Sequence, residues 1–343
     1  MTKPDSLRMT FTRLTGIALL LVGVFVSLSS AQTVNTRVAG TVKDSTGAVV
    51  PGVALKLIDV GTREEKAGLT NDEGYFVFTD VRAGTYIVTA ERAGFKKAQV
   101  QNVVVHVDTP ATLNIDLEAG GITETVSVQA SDTQSLINTE DAKLSKTIDL
   151  KQVQDLPLNG RNPINLAGMQ AGVNTNGSVR TSSINGMRGS FSNITWDGID
   201  INDNLVRTDS LFGTAGQSVA GVAEFSLTTQ NGGPDDGLGI AQVKLTTPRG
   251  TKSFHGQGYD FYRNSRFDAN TFFNNATRDP LTGLALPKPG LIQHQYGFNV
   301  GGPLALPRFG EGGASLMEKK KLFFYFFYEG VRTTSEDTRL RTV

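Results

Sequence analysis

The chain has 343 residues and carries 33 basic and 33 acidic side chains, so its formal net charge is zero. It lacks the basic surplus of a nucleic-acid-binding surface, and we expect no nucleic-acid partner. Cysteine is absent, which excludes disulfides, thiol nucleophiles and thiolate metal sites. Glycine is abundant, with 38 copies that often stand beside Asn or Asp. Such pairs supply the positive φ of tight hairpin turns, so the composition favours a β-rich fold.

The first 31 residues have the pattern of an export signal. Three basic residues precede an apolar run from Ile17 to Leu28. This run is 12 residues long, whereas a helix that spans ~30 Å of hydrocarbon needs about 20, so a transmembrane anchor is the weaker interpretation. Small residues follow the run and predict cleavage after Ala31. We therefore expect an exported protein.

Residues 36 to 118 consist of short runs rich in β-branched residues that are bounded by Gly, Asp or Pro. This spacing predicts roughly seven strands of a small antiparallel sandwich rather than alternating βαβ units. The predicted strands are Val38 to Lys43, Val53 to Val60, Tyr75 to Thr79, Thr85 to Glu91, Lys97 to Val107 and Ala111 to Leu117.

The turns of this region come in a specific order. Asp44-Ser45-Thr46-Gly47 follows the first run, and Asn71-Asp72-Glu73-Gly74 precedes Tyr75 and Phe76. The region resembles a carboxypeptidase regulatory-like domain, which implies an Ig-like or prealbumin-like β-sandwich. We expect no catalysis, because none of the three histidines has a Glu three residues away, as a peptidase zinc centre needs. Carbohydrate binding by the sandwich is a weaker interpretation, since a single Trp provides no Trp pair as a sugar platform.

Residues 119 to 150 are predicted to be a linker that contains one strand. Residues 122 to 130 alternate between apolar and polar side chains, and a lone strand needs a partner. The segment Glu124-Thr125-Val126-Ser127-Val128 resembles a TonB box, with which a TonB-type energy-coupling protein pairs by strand addition. The alternative is an eighth strand of the sandwich or a hairpin edge.

Residues 151 to 248 begin with the most specific phrase of the chain, Leu156-Pro157-Leu158-Asn159-Gly160-Arg161-Asn162. Pro157 ends any helix that precedes it, and Asn162 to Met169 are predicted to form a short helix. The phrase resembles the opening of the plug domain of Oar-like TonB-dependent transporters, which implies a small mixed α/β plug.

Two later clusters resemble the paired strands of such a plug, namely Ser183-Ile184-Asn185-Gly186-Met187-Arg188-Gly189 and Ile194-Thr195-Trp196-Asp197-Gly198-Ile199-Asp200. Asp197-Gly198 is a hairpin signal. Arg188 is either a plug-to-barrel salt bridge or a surface charge. Residues 219 to 227 predict a helix followed by a strand, and residues 240 to 248 predict the closing strand. The closing strand lacks the glycine pair that the family has there.

Three carboxylates, Asp197, Asp200 and Asp203, lie within seven residues. A hard cation needs a loop that supplies several more oxygens, so we interpret them as a solvated turn and predict no metal site.

Residues 249 to 343 contain most of the aromatic residues, including the run from Phe323 to Tyr328. Aromatic residues at this density are typical of the girdles of membrane barrels, and the segment resembles the first strands of the Oar-like barrel. A plugged transporter barrel has about 22 strands of about 10 residues, so this segment supports about four at most. We therefore expect a fragment or a truncated gene product of a longer protein, with an incomplete transmembrane barrel.

The leading functional hypothesis is the N-terminal portion of a TonB-dependent outer-membrane receptor that takes up a ligand such as an oligosaccharide, a peptide or a chelate. Its expected partners are a TonB-type protein, outer-membrane lipid and a small ligand, with sandwich and plug on the periplasmic side. We predict no enzymatic activity and no cofactor. The alternative is an exported β-sandwich protein that binds carbohydrate or mediates adhesion without transport.

Overall fold

The computed structural model describes the residues in these ranges: 35–121, 125–129, 142–156, 158, 161–175, 182–188, 191–203, 218–233, 236–237, 239, 241–279, 282–304 and 322–335. They are mainly β and form an N-terminal sandwich (residues 35 to 129), a middle domain (residues 142 to 246) and a C-terminal sheet (residues 255 to 335). The predicted cleavage site at Ala31 lies outside the described residues. No helix in the described ranges is long and apolar enough to cross a bilayer.

The sandwich consists of two sheets. One has the order β4-β1-β7, with β8 also paired to β1, and the other has the order β3-β2-β5-β6-β9. Its strands are β1 (Thr36–Asp44), β2 (Ala54–Asp59), β3 (Glu65–Leu69), β4 (Tyr75–Val81), β5 (Gly84–Glu91), β6 (Lys97–Val105), β7 (Ala111–Thr112), β8 (Ile115–Leu117) and β9 (Thr125–Gln129).

Alternating side chains of the two sheets fill one core. Along β2 the residues alternate between buried and exposed, and Leu55 and Leu57 are each 1% exposed. Val38 of β1 and Val88 of β5 are fully buried in the same cluster. Burial of each such side chain stabilises the fold by about 1.5–3 kcal/mol. The predicted sandwich is confirmed.

Three details of the sandwich differ from the sequence prediction. β3 was not predicted, because its Glu, Lys, Ala and Gly lack β-branched side chains, yet it pairs with β2 along a full hairpin. The run Ala111 to Leu117 divides into β7 and β8, since Asn114 turns its side-chain oxygen to the backbone N–H of Thr41 at 3.2 Å. The pairing is also not wholly antiparallel, because β7 and β8 run parallel to β1, and β9 runs parallel to β6.

The middle domain is built on a five-stranded sheet with the order β10-β16-β17-β14-β15. Helix Leu150–Asp155 and the 3-10 helices Pro163–Met169 and Val219–Gly221 accompany it. Phe225, Leu227 and Leu245 form the centre of its core, each 0–1% exposed. The strands are β10 (Leu144–Asp149), β11 (Val173–Asn174), β12 (Ser183–Ile184), β13 (Met187–Arg188), β14 (Ser192–Trp196), β15 (Ile199–Asp200), β16 (Glu224–Gln230) and β17 (Ala241–Thr246).

Local signals in the sequence account for the ends of the short helices. Asp149 caps the first α-helix by accepting a hydrogen bond from the N–H of Gln152 at 2.8 Å. That helix ends at Asp155, two residues before Pro157. Asn162 caps the next helix through the N–H of Ile164 at 2.9 Å, as the sequence predicts for a helix from Asn162 to Met169.

The pairing of the two strand clusters was predicted wrongly. They do not pair with each other; β12 pairs with β13 in a small sheet with β11, and β14 pairs with β15 and β17 in the main sheet. Each cluster contains its own tight turn, since Asn185-Gly186 have φ of 50° and 80°, and Asp197-Gly198 have φ of 50° and 83°. Two residues of positive φ are what a two-residue hairpin of type I′ requires. The hairpin predicted at Asp197-Gly198 is confirmed.

The C-terminal sheet consists of β18 (His255–Asn264), β19 (Leu291–Pro303) and β20 (Phe323–Ser335), all antiparallel. Tyr259, Gly297 and Glu329 lie side by side across the three strands. Helix Phe272–Ala276 and the 3-10 helix Ser265–Phe267 lie between β18 and β19, and neither has a buried residue.

Candidate functional site: two faces of a sheet and two interfaces

One face of the C-terminal sheet packs on the middle domain. The hydroxyl of Tyr325 donates to the carbonyl of Ala220 at 2.8 Å, and the ring of Phe327 stacks on Trp196 with 6.4 Å between centroids. A Cβ at Gly221 would lie 2.5 Å from the Phe327 ring, so only glycine allows this approach. We call this side of β18–β20 the inner face.

A cluster of polar side chains also lies on the inner face. Glu329 accepts hydrogen bonds from the Tyr259 hydroxyl at 2.7 Å and from the Gln295 amide at 2.8 Å. The guanidinium of Arg161 lies 3.6 Å from the centroid of the Phe261 ring, a cation–π contact. Burial lowers the pKa of Arg161, and the charge of Glu329 opposes that change. Arg161 therefore connects the Leu-Pro-Leu-Asn-Gly-Arg phrase of the middle domain to β18.

The opposite side of the sheet, the outer face, presents aromatic rings outward. Phe298, Phe326 and Tyr328 are 45–52% exposed, although the ring of Phe298 contacts both others with centroids 5.9 and 6.2 Å apart. These residues alternate with the inner-face residues along each strand, as the two-residue period of a strand requires. Aromatic side chains of this number on one exposed face indicate a surface that contacts something apolar.

A group of four charges, two buried carboxylates and two half-buried ammonium groups, joins the sandwich to the middle domain. We call Asp108, Lys143, Asp236 and Lys244 the ion cluster. Lys143 lies 2.9 Å from Asp108 and 3.0 Å from Asp236, while Lys244 lies 2.7 Å from Asp108 and also pairs with Asp236. Burial disfavours the charged forms, but the hydrogen bonds between partners outweigh it; they raise the pKa of Lys143 and lower that of Asp236. The stability of each charged side chain in the cluster therefore depends on the opposite charges beside it.

A second contact between these domains involves the sandwich residue His106. Its Nδ1 lies 3.2 Å from Glu224 Oε1, and Glu224 Oε2 accepts from the N–H of Val107 at 2.7 Å. The hydrogen bond to Glu224 raises the pKa of His106, burial opposes this, and Asp149 adds a smaller favourable charge.

We expect the substitution His106→Gln to remove a pH-dependent part of the stability. Folding raises the pKa of His106, so protonated His106 stabilises the folded state. This stabilisation is fully present below the unfolded-state pKa of 6.5 and is lost as pH rises through the folded-state pKa. A hydrogen bond to a charged group contributes about 1.5–3 kcal/mol, and this contribution is lost when His106 loses its proton. Thermal unfolding at pH 6 and pH 9 should therefore differ less for His106→Gln than for the unsubstituted chain. His255→Gln, an exposed histidine, is the control, and equal pH dependence in all three proteins would contradict the prediction.

The predicted TonB-box segment is extended in the structure. Thr125–Gln129 is β9, which pairs in parallel with Lys97 to Gln101 of β6 and forms one end of the five-stranded sheet. This is the arrangement that the alternative interpretation, an additional strand of the sandwich, predicts. Ser127 and Val128 are exposed and Val126 is half-buried. Glu124 lies outside the described residues.

The other predicted residues are dispersed through the middle domain. Leu156 packs against its core, Asn185 donates to the carbonyl of Thr229 at 2.9 Å, and Asp197 accepts from the N–H of Thr247 at 2.9 Å. Gly186 occupies the turn beside Asn185, Gly198 the turn beside Asp197, and Arg188 the strand β13. Pro157, Asn159 and Gly160 lie outside the described residues.

Asp197 and Asp200, two of the three carboxylates of this region, accept hydrogen bonds from backbone N–H groups. Asp200 accepts from the N–H of Asn202 at 2.8 Å, as a capping side chain does. Among the residues that the structure describes, no group of three His, Cys, Asp or Glu side chains has the arrangement of a metal site.

Sequence reasoning missed the residues that join the sandwich to the middle domain. The four residues of the ion cluster, Asp108, Lys143, Asp236 and Lys244, are up to 136 positions apart in the sequence. No spacing rule links them, and a single Lys or Asp in a sequence is normally exposed.

Comparisons with known proteins agree with the two ends of this architecture. A family model described as a carboxypeptidase regulatory-like domain matches residues 37–118, and one described as an outer membrane beta barrel domain matches residues 246–343. The chain joins these two domains. The barrel domain indicates a location in the outer membrane. No curated protein matches the chain.

Similar solved structures cover only a quarter of the chain. A putative carbohydrate binding protein from Bacteroides uniformis is 24% identical over 24% of this chain and 40% of its own, with a TM-score of 0.22. A chain of a cohesin–X-dockerin complex from Acetivibrio cellulolyticus is 32% identical over 25% of this chain and 58% of its own, with a TM-score of 0.20. A streptococcal ancillary pilin is 19% identical over 25% of this chain and 33% of its own, with a TM-score of 0.21. In each case less than two thirds of the other chain is covered.

Proposed function

We propose that the chain is the N-terminal portion of a TonB-dependent outer-membrane receptor of the Oar-like kind, in which the middle domain is the plug. The observation that carries this proposal is the two-faced C-terminal sheet. Tyr325 and Phe327 of its inner face contact the middle domain, whereas Phe326 and Tyr328 of its outer face are exposed. A sheet that encloses a domain on one side and meets lipid on the other needs this alternation.

The inner-face contacts suit a plug that is held but removable. Among the described residues they include one hydrogen bond, one ring stack and one cation–π contact, each of modest energy. In the proposed cycle a ligand such as an oligosaccharide, a peptide or a chelate binds outside. A TonB-type protein then pairs with the segment Glu124 to Val128 and displaces part of the plug.

The segment has a geometry that supports strand addition. β9 lies at the end of its sheet and its only strand partner within the described ranges is β6. An end strand presents one row of backbone N–H and C=O groups, which a partner strand pairs with directly. The sandwich thereby holds Thr125–Gln129 extended.

A set of single-cysteine variants tests the proposal, because the chain contains no cysteine of its own. Spin labels at Phe326→Cys and Tyr328→Cys are expected to be accessible to oxygen and shielded from a polar nickel chelate in outer-membrane vesicles. Labels at Phe327→Cys and Glu329→Cys are the matched inner-face controls and should be less accessible to oxygen, because these positions face the middle domain. Equal behaviour at all four positions would contradict the membrane placement.

The coupling step is tested by a photo-crosslinker attached at Ser127→Cys. We expect a crosslink to the TonB-type protein in cells, and none from a crosslinker at Thr46→Cys, an exposed turn position of the same sandwich. Addition of Val126→Pro should abolish the crosslink, since proline removes a backbone donor from the strand. A crosslink that persists with Val126→Pro would show that the partner does not use strand addition.

A further inference from the structure

A cleft of about 760 Å³ lies where the sandwich meets the start of the C-terminal sheet. The turn between β2 and β3, the turn between β4 and β5, and residues 247 to 252 form its walls, and Leu322 and Phe323 of the third strand supply an apolar side. The β9 edge described above does not use this cleft, and Tyr325 is the one residue that the cleft shares with the plug contacts already described.

Its charged lining is mostly basic. Arg63, Arg82 and Lys252 line the cleft, and Glu64 is the one carboxylate among the lining residues. No ion pair of these three cations is found within the part of the chain that the structure describes. The described lining therefore carries a surplus of positive charge.

The fourth basic residue of the cleft has a structural role. Arg249 donates to the carbonyl of Ala83, and its Nη2 lies 3.6 Å from Asp59 Oδ2. Asp59 is buried and also accepts from the N–H of Gly61 at 2.7 Å. The N–H of Lys252 donates to the carbonyl of Gly61 at 3.1 Å. These bonds fix the backbone of the walls, and the three remaining cations line the space between them.

The backbone of Arg63 supports a role for its side chain. Arg63 has φ of 61°, in the left-handed region that favours glycine, and its N–H closes the turn onto the carbonyl of Asp59 at 2.8 Å. Glycine would adopt this conformation without strain. A long basic side chain at such a position is expected where the charge itself is used.

We propose that this cleft binds a phosphate monoester or a similar dianion, with the apolar part of the molecule against Leu322 and Phe323. A phosphate monoester carries about −1.5 to −2 charges near neutral pH, which matches three cations and one carboxylate. Arginine forks pair with phosphate oxygens through two hydrogen bonds at once. The phosphate comes from a soluble ester or from a lipid headgroup, and the proposal does not depend on transport.

Calorimetry on the full chain in detergent micelles tests the proposal, with inorganic phosphate as the probe in one arm. In the other arm the chain is placed in nanodiscs that contain phosphatidic acid, with phosphatidylcholine nanodiscs as the comparison. Arg63→Gly and Lys252→Ala are each expected to weaken binding about tenfold, the loss of one charge-assisted contact. Arg63→Gly should not lower the melting temperature, because it relieves a left-handed arginine.

The control variant is Lys56→Ala, an exposed lysine of the same sandwich that pairs with Glu65 at 3.7 Å. It should bind phosphate as the unsubstituted chain does. Binding of inorganic phosphate would identify a soluble ester as the source, and preference for phosphatidic acid alone would identify a lipid. Absence of binding in both arms, or equal weakening by Lys56→Ala, would overturn the proposal.

Discussion

Replacing Asp236 by leucine is expected to lower the free energy of unfolding by about 3–5 kcal/mol. The side chain of Asp236 is 1% exposed and pairs with both lysines of the ion cluster. Its loss leaves two half-buried ammonium groups with Asp108 as their only partner in the cluster, and a charge that is largely removed from water without compensation is costly. Urea unfolding followed by circular dichroism measures the change. Asp116→Leu, at an exposed aspartate of β8, is the matched control.

A double substitution shows whether the cost comes from unbalanced charge. Lys143→Met combined with Asp236→Leu leaves one pair, Lys244 and Asp108, at 2.7 Å. We expect this double variant to be more stable than Asp236→Leu alone, since replacement of a whole buried pair by apolar residues is often neutral. A double variant that is less stable by the sum of the two single effects would show that charge balance is not the cause.

The pH dependence of the cluster follows from the two pKa directions. The pKa of Asp236 is lowered from 3.8, so its contribution is present above that value and is lost as pH falls through the folded-state pKa. The pKa of Lys143 is raised from 10.5, so its contribution is present below that value and is lost as pH rises further. The Asp236→Leu effect should therefore be constant near neutral pH and diminish in strong acid.

The substitution Gly40→Ala is expected to destabilise the sandwich by about 3 kcal/mol or more. A Cβ at Gly40 would lie 1.7 Å from the carbonyl oxygen of Leu113, which is a backbone atom and has no rotamer to change. The strand β1 would have to separate from the chain between β7 and β8, where the N–H of Leu113 donates to Ala39 at 2.8 Å. Thermal and urea unfolding of the chain measure the loss.

Gly47→Ala provides the comparison for this prediction. Gly47 has φ of 87° and no atom within 4 Å of a Cβ, so alanine there meets conformational strain without collision. We expect a cost of about 1–2 kcal/mol. If the two alanine variants were equally stable, close backbone approach at Gly40 would not be the determining factor.

The sequence predicted the parts of the fold that local patterns control. β-Branched runs and Asp-Gly or Asn-Gly turns gave the strands of the sandwich and the hairpin at Asp197-Gly198. The edge strand β10 was predicted as part of the linker, because Leu144–Asp149 contains only two apolar residues, Leu144 and Ile148. Its pairing with β16 depends on a partner about 80 residues away, which no local pattern encodes.

The candidate sites likewise include one residue that a local pattern indicated and others that no local pattern indicated. Arg161 was singled out as part of a phrase, yet its contact with Phe261 needed the structure because 100 residues separate them. No sequence pattern indicated the cleft at Arg63, since its three cations come from two turns and the segment before β18. Residues that act together through tertiary contacts leave no spacing to read in one sequence.

The direction of β18 has a consequence for labelling experiments on whole cells. β18 begins at His255, at the sandwich end of the sheet, and ends at Asn264, so the described residues 265–279 and 282–290 follow at the far end from the cleft and from Arg249. Phe267, Phe272 and Phe273 in this segment are 78–84% exposed. With the sheet embedded in a bilayer, an epitope inserted beside these residues and one inserted in the sandwich would lie on opposite sides of the membrane. An antibody applied to intact cells would then reach only one of the two.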